Sequence, residues 1–379
     1  MNLLFVCGGS AGHINPAIAI AEEVRRMAPE SNILFAGADK TLENRLVPAA
    51  GFRLVNIKMS GLRRGISLRD LYHNFKTARN LFTAGFKTKK LLKEFKPDVV
   101  IGTGGYISYP VLKKSAKAGI PTYILEPNAY PGLAVRMLSG IVDKIFVTYR
   151  GLEDKFKKPE RVIYTGTPLR SEFIVDAKAA ANIPENNSSP LVLSYWGSLG
   201  ADGMNHKILD FIKRNTEEGK FRHIHAAGVG SSAEDMIKNL KSIGVTDIGS
   251  SADGKDQQIK ILEYIYDMPL LMKEADIVIT RAGASTIAEL TALGKPAILI
   301  PSPNVTENHQ EFNARQLQDA GGVIMILEKD CTGETLYSTV SAILEDRKKI
   351  VGMSNALISL SVKDAAAKIA GVVMDRSIN

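Results

Sequence analysis

Short apolar runs that end abruptly in glycine recur along this chain, and they leave few folds open. Leu3–Cys7 runs into Gly8-Gly9-Ser10-Ala11-Gly12-His13, and Asp98–Ile101 into Gly102-Thr103-Gly104-Gly105-Tyr106. Leu191–Tyr195 leads to Gly197-Ser198-Leu199-Gly200, and Ile277–Thr280 to Ala282-Gly283-Ala284-Ser285-Thr286. Further apolar runs at Ile33–Ala36, Thr122–Leu125, Lys144–Val147, His223–Ala227 and Ala297–Ile300 alternate with stretches of helical period such as Pro16–Met27. Strands without polar alternation are buried on both faces, so this rhythm predicts parallel sheets with helices on either side. The rhythm restarts after residue 165, and the turn-rich segment Asn182–Pro190 precedes the restart. Two α/β domains follow, a number that suits 379 residues.

In such sheets ligands bind outside the carboxyl ends of the strands, where all four glycine clusters are expected. Glycine lets backbone N–H groups approach a ligand, and a following helix N-terminus favours phosphate. Any one cluster is explained as well by strand-to-helix packing; four across two sheets point to ligand contact. The first loop does not read G-x-G-x-x-G, yet Asp39 follows the second strand, so a nicotinamide-dinucleotide enzyme stays open. No P-loop, H-E-x-x-H, D-x-D or His/Cys cluster occurs, so no metal and no cofactor are expected. A departing diphosphate is then neutralised by helix N-termini, hydroxyls and arginine, for which Ser198, Ser285, Thr286 and Arg170 are candidates.

The only cysteines, Cys7 and Cys331, lie in apolar surroundings without ligand-like spacing, which fits a reducing compartment. The N-terminal apolar run lacks a basic flank and reads as a buried first strand rather than a signal peptide. No stretch of about 18 apolar residues is present to span a bilayer. The net charge of +8 is uneven: residues 1–163 hold 26 Lys+Arg against 13 Asp+Glu, and the remainder 22 against 27. Eleven of those bases crowd residues 58–96, with only Asp70 and Glu94 as acids. Leu71, Phe75, Ala78 and Phe82 recur there at helical spacing, a pattern for a helix on an anionic leaflet and equally for an apolar stripe packed in the core.

Six motifs in one order carry a resemblance: Gly-Gly-Ser-Ala-Gly-His-Ile-Asn-Pro (8–16), Gly-Thr-Gly-Gly-Tyr-Ile-Ser (102–108), Glu-Pro-Asn-Ala-Tyr-Pro-Gly (126–132), Gly-Thr-Pro-Leu-Arg (166–170), Gly-Ser-Leu-Gly-Ala (197–201) and Thr-Arg-Ala-Gly-Ala-Ser-Thr-Ile-Ala-Glu (280–289). The set resembles the MurG family, which transfers N-acetylglucosamine from UDP-N-acetylglucosamine to lipid I in peptidoglycan synthesis. The resemblance implies a GT-B fold, two Rossmann-like parallel-sheet domains facing across a cleft. It implies an acceptor and membrane-facing domain at 1–165, a UDP-sugar domain at 166–357, and a C-terminal helix at about 358–379 packing back on the first domain. It also implies inversion at the sugar and no metal.

Carried over by motif, Ile265 resembles the residue whose backbone reads uracil, Arg170 the arginine near the nucleotide, and Glu289 the carboxylate that takes the ribose hydroxyls. Ser198, Ala284, Ser285 and Thr286 resemble the diphosphate cradle, and Gln310 and Asn313 the readers of the sugar hydroxyls. Ser10, Ala11, Gly12 and Asn128 join the donor contacts. Gly104, Gly105 and Tyr106 fall on the acceptor side, with Asn128 also near it, and His13 is the candidate general base. Expected partners are UDP-N-acetylglucosamine, lipid I and the anionic inner leaflet, with no nucleic acid, at the cytoplasmic face of the cell membrane. The chain departs from the family at Ser10-Ala11, where Thr-Gly is usual, at Thr167 in place of Asn, and at Trp196 in place of Gly. A transferase acting on another lipid acceptor, a UDP-N-acetylglucosamine 2-epimerase and a non-catalytic membrane scaffold are the competing readings.

Overall fold

The computed structural model describes residues 1–39, 41–59, 83–174, 189–197, 200–229, 233–250, 257–305 and 308–375. Ser198, the Leu71–Phe82 stripe and most of the Asn182–Pro190 segment lie outside the described residues. The chain divides into two compact units, Met1–Ser171 with Val362–Asn379, and Glu172–Ser361.

The first unit holds seven parallel strands: β1 (Asn2–Val6), β2 (Asn32–Ala38), β3 (Arg53–Ile57), β4 (Val99–Gly102), β5 (Thr122–Glu126), β6 (Lys144–Val147) and β7 (Val162–Tyr164). Their spatial order is β3-β2-β1-β4-β5-β6-β7. Side chains alternate across a strand. Leu3, Phe5 and Cys7 therefore enter one core with the helix Ala11–Met27, and Leu4 and Val6 enter the other. Both faces of β1 are covered, so its sequence carries no polar alternation. The helix Ala365–Met374 joins the first of these cores through Ile369, Ala370 and Val373. Ala84, Leu91 and Leu92 enter the second core from the helical stretch 83–95.

The second unit repeats the plan with β8 (Leu191–Tyr195), β9 (Arg222–Ala226), β10 (Ile248–Gly249), β11 (Ile259–Leu262), β12 (Ile277–Thr280), β13 (Ala297–Leu299) and β14 (Val323–Met325). The strands are parallel in the order β10-β11-β9-β8-β12-β13-β14. Its core packs Val192, Ile277, Ile279 and Ile298 against Phe211 and Tyr337. Trp196 belongs to that core at 5% exposure, its ring 5.9 Å from that of His225. The tryptophan that departs from the family pattern is therefore turned inward and fills core volume.

Strand order reverses between β1 and β4 in the first unit and between β8 and β12 in the second, where β11 also inserts between β9 and β10. Connections leave those neighbours in opposite directions, which opens a crevice at the carboxyl edge. The glycine clusters lie at these two places.

Candidate active site

In the first unit the loops after β1 and β4 meet through His13. Its Nδ1 lies 2.8 Å from the Thr103 carbonyl, and the Thr103 hydroxyl donates back to the His13 carbonyl at 2.6 Å. A carbonyl only accepts, so Nδ1 carries the proton and the basic lone pair falls on Nε2. Gly104 makes this contact feasible. It has φ +102, and a Cβ there would come within 2.5 Å of His13 Nδ1. Ser10 stands as N-cap of the helix Ala11–Met27 without a side-chain cap bond, leaving first-turn N–H groups at Ala11 and Gly12. Tyr106 sits beside Gly9, 3.6 Å from where a Cβ would be.

Glu126 closes β5 at 1% exposure. Its carboxylate accepts from the Asn128 N–H and side-chain amide, both at 2.9 Å, and from the Gly132 N–H at 2.7 Å. Burial pushes it up to about 7, against the pull of those donors and of Arg136. Asn128 is thus held at the carboxyl edge by a carboxylate beneath it. Arg170 lies at the end of the first unit's main segment, which closes at Ser171. Thr167, the other departure, pairs its hydroxyl with that of Thr148 at 2.9 Å.

In the second unit Ala284, Ser285 and Thr286 form the first turn of the helix Ala284–Leu293. Its N-cap, Gly283, makes no side-chain cap bond, and the first turn holds no acid. Three other helices of this unit are capped by side chains: Asp267 accepts from the Leu270 N–H, Asp346 accepts from the Lys349 N–H, and Thr332 and Thr335 form a capping box; the helices Asp202–Glu218 and His309–Asp319 lack such a bond but carry an acid in the first turn. The Ser285 hydroxyl is buried without a hydrogen-bond partner. A buried polar group in that state costs free energy unless a ligand or water completes it. Tyr195, ending β8, sits by Thr280, Thr286 and Glu289. Burial, with that carboxylate second, holds its hydroxyl far above the usual range. Glu289 is 9% exposed on the same helix.

Asn313 is fully buried and donates to the Ala282 carbonyl at 3.2 Å. The Gln310 side-chain oxygen accepts from the Ser302 N–H at 2.9 Å. Both side chains therefore brace the loops after β12 and β13 from the helix His309–Asp319. Ile265 is buried just past β11, at the same carboxyl edge. The structure thus collects Ser10–His13, Gly104–Tyr106 and Asn128 at one sheet edge. It collects Ile265, Ala284–Thr286, Gln310 and Asn313 at the other, with Glu289 further along the helix Ala284–Leu293.

Four residues escaped the sequence reading. Glu43 bonds beneath the first loop, and Glu126 holds Asn128. Tyr195 backs the Ala284–Leu293 helix. Arg281 ties β12 to Glu328 at 2.6 Å and to the Ile300 carbonyl at 3.1 Å. The available signal was a carboxylate ending an otherwise apolar run at Glu126. Among the described residues, no group of three or more His, Cys, Asp and Glu is placed to hold a metal ion.

Both halves match models of glycosyltransferase family 28, the N-terminal domain over residues 3–147 and the C-terminal domain over 191–369. Fold and matched domains define the class, a glycosyltransferase built from two doubly wound domains of GT-B type. A transferase of Acetivibrio thermocellus named UDP-N-acetylglucosamine–N-acetylmuramyl-(pentapeptide) pyrophosphoryl-undecaprenol N-acetylglucosamine transferase is 39% identical over 99% of this chain and 98% of its own. One of the same name from Thermoanaerobacter is 41% identical over 97% of this chain and 98% of its own. The chain belongs to this family of N-acetylglucosamine transferases, the MurG family. The solved Acinetobacter baumannii MurG shares the fold at TM-score 0.73 and 22% identity, covering 98% of each chain. A Neisseria meningitidis UDP-GlcNAc 2-epimerase bound to UDP-GlcNAc also shares it, at 0.67 and 16%, covering 99% of this chain and 100% of the other. The fold alone therefore does not separate transferase from epimerase; the sequence relatives do.

Proposed function

We propose that this chain transfers N-acetylglucosamine from UDP-N-acetylglucosamine to the 4-hydroxyl of undecaprenyl-diphosphate-linked N-acetylmuramoyl-pentapeptide, with inversion and without a metal. The observation that carries the donor assignment is the uncapped helix start at Ala284 with its buried, unpartnered Ser285 hydroxyl. The helix N-terminus and hydroxyl take the diphosphate, Glu289 accepts from the ribose hydroxyls, and the backbone at Ile265 reads the base. By motif, Arg170 is assigned to the nucleotide and Ser198 to the diphosphate, and Gln310 and Asn313 are assigned to the sugar. His13 Nε2 takes the proton of the acceptor hydroxyl as its oxygen attacks the anomeric carbon. The bond from that carbon to the diphosphate oxygen breaks, and UDP leaves with the new charge at the helix N-terminus.

The acceptor's lipid places the reaction at the cytoplasmic face of the membrane, where the protein docks peripherally. No helix among the described residues is long and apolar enough to cross a membrane. The 83–95 helix offers Phe86, Lys87, Lys89, Lys90 and Lys93 as exposed side chains. Each base near an anionic surface contributes about 1 kcal/mol. Replacing those four lysines with glutamine is expected to reduce sedimentation with anionic vesicles while sparing turnover of a water-soluble acceptor; undiminished sedimentation removes this helix from the docking face.

The deciding experiment incubates the protein with UDP-N-acetylglucosamine and a short-chain lipid I analogue and weighs the products. The expected result is an acceptor heavier by one N-acetylhexosamine, undiminished by chelator. Epimerised UDP-sugar with unmodified acceptor overturns the reading.

A further inference from the structure

Beneath the first glycine loop lies a carboxylate that no step of the reaction uses. Glu43 opens the short helix Glu43–Ala49 after β2 and is fully buried. Its Oε1 accepts from the Ala38 N–H at 2.8 Å, and its Oε2 from the Gly9 N–H at 3.3 Å. One carboxylate thus ties the loop after β1 to the carboxyl end of β2. Its slot is walled by glycine: a Cβ on Gly37 would lie 2.6 Å from Glu43 Cγ, and one on Gly8 would collide with Oε1. Burying a carboxylate is costly unless donors are aimed at it, and here backbone N–H groups are.

We infer that Glu43 is a positioning residue for His13, an inference that rests on the function proposed above. The path is contiguous. Glu43 holds the Gly9 N–H from below. The Gly8 carbonyl faces Gly105 so closely that a Cβ there would strike it. Gly105 belongs to the loop whose Thr103 carbonyl receives His13 Nδ1. A shift of the carboxylate moves the Gly8–Gly9 backbone, then the loop after β4, then the imidazole. The Gly9 N–H is spent on Glu43, so it is not offered to a ligand. The first loop therefore acts here as a mount for His13, with its ligand-facing groups confined to the helix start at Ala11. The side chains that feel the charge are Cys7 and Tyr106. Burial, with Glu43 second, raises both their ionisation ranges, so both stay neutral.

The test compares parent, Glu43→Gln, Glu43→Asp and Gly37→Ala. Gln keeps the length and loses the charge; Asp keeps the charge and cannot reach both N–H groups. Gly37→Ala presses on Glu43 with its carboxylate intact. In each folded variant kcat toward the short-chain acceptor is expected to fall, by on the order of tenfold to a hundredfold, because displacements near 1 Å cost that much. Affinity for UDP-N-acetylglucosamine by calorimetry should fall by clearly less than kcat does, since most donor contacts, Ser10–Gly12 and Asn128 apart, are assigned to the other unit. The His13 ring resonances should shift in all three. Parental kcat together with unmoved His13 resonances in the folded variants overturns the inference, as does an equal loss of donor affinity and rate. If the parent itself fails to glycosylate the acceptor, the function proposal falls instead, and unmoved His13 resonances alone then decide against Glu43.

Discussion

The two units share a sheet plan and a helix start with neither side-chain cap nor first-turn acid, yet they differ in what stands beside that start. In the first, the protein's own carboxylate reaches under the loop after β1 and occupies the Gly9 N–H. In the second, the helix after β12 begins with no side-chain cap, no acid in its first turn and an unpartnered hydroxyl. Backbone topology sets where a ligand can sit, and one side chain decides whether an anion is already supplied there. On that contrast the second unit is equipped for a diphosphate, and the first for holding a base in a fixed tautomer.

The sharpest way to break the contrast is at its catalytic end. His13→Ala removes the one imidazole that the described residues place at the first unit's glycine loops and is expected to lower kcat by about 10²–10⁴, the usual range for a general base. Donor affinity should be unchanged. A variant that turns over normally in a mass-resolved assay moves the base elsewhere. On the second unit's side, Glu289→Ala should weaken donor binding roughly 10- to 150-fold, the equivalent of losing a hydrogen bond to a charged group. Calorimetry giving the parental affinity for a folded variant refutes the ribose assignment. A smaller effect isolates the helix start. Ser285→Ala should lose about tenfold in donor affinity while the melting temperature holds or rises, because the free protein loses only an unsatisfied buried hydroxyl. A fall in melting temperature without a change in donor affinity would show that the hydroxyl is structural.

What the sequence made legible follows from what periodicity can report. Continuous apolar runs such as Leu3–Cys7 and Ile277–Thr280 marked the central strands, because burial on both faces leaves no other composition. The glycine clusters marked the switch points for another reason: tight turns and close backbone approach there, as at Gly104 and Gly105, leave no room for a side chain. Short edge strands escaped: Ile248–Gly249 has two residues and no pattern to detect. Glu43 also escaped, because a glutamate on a seven-residue helix looks solvated until Gly8 and Gly37 are brought around it by pairing of β1 with β2. Asn313 and Gln310 share a helix face as their spacing required, yet the loops they brace come from sequence-distant strands, which spacing does not convey. Trp196 looked like an intrusion in a glycine loop and is a core residue. The side-chain environment that decides such cases is tertiary.

The last way to sharpen the comparison concerns local stability, with the smallest expected effect on turnover. The units carry buried titratable groups displaced in opposite senses. Glu126 in the first is raised from its ordinary 4.5 to about 7 by burial. The unfolded chain gives up this proton at lower pH than the folded one, so the stability linked to it is complete below about 4.5 and is lost as pH rises through about 7. In the second unit His223 and His225 are fully buried and joined through the Ser194 hydroxyl at 2.7 Å each, with His225 continuing to Asn205 at 3.1 Å. Burial holds both below the ordinary 6.5, His225 to about 3, and the proximity of His225 adds to the effect on His223. Their unfolded forms bind protons that the folded forms refuse, so this stability is complete above about 6.5 and is lost as pH falls below it. Amide exchange, corrected for intrinsic rates, should therefore show β5 losing protection and β8–β9 gaining it between pH 5 and pH 8, by about tenfold or more. Glu126→Gln should flatten the first trend and leave the second. Protection that moves in the same direction in both units, or a β5 trend that survives Glu126→Gln, removes these groups as its source.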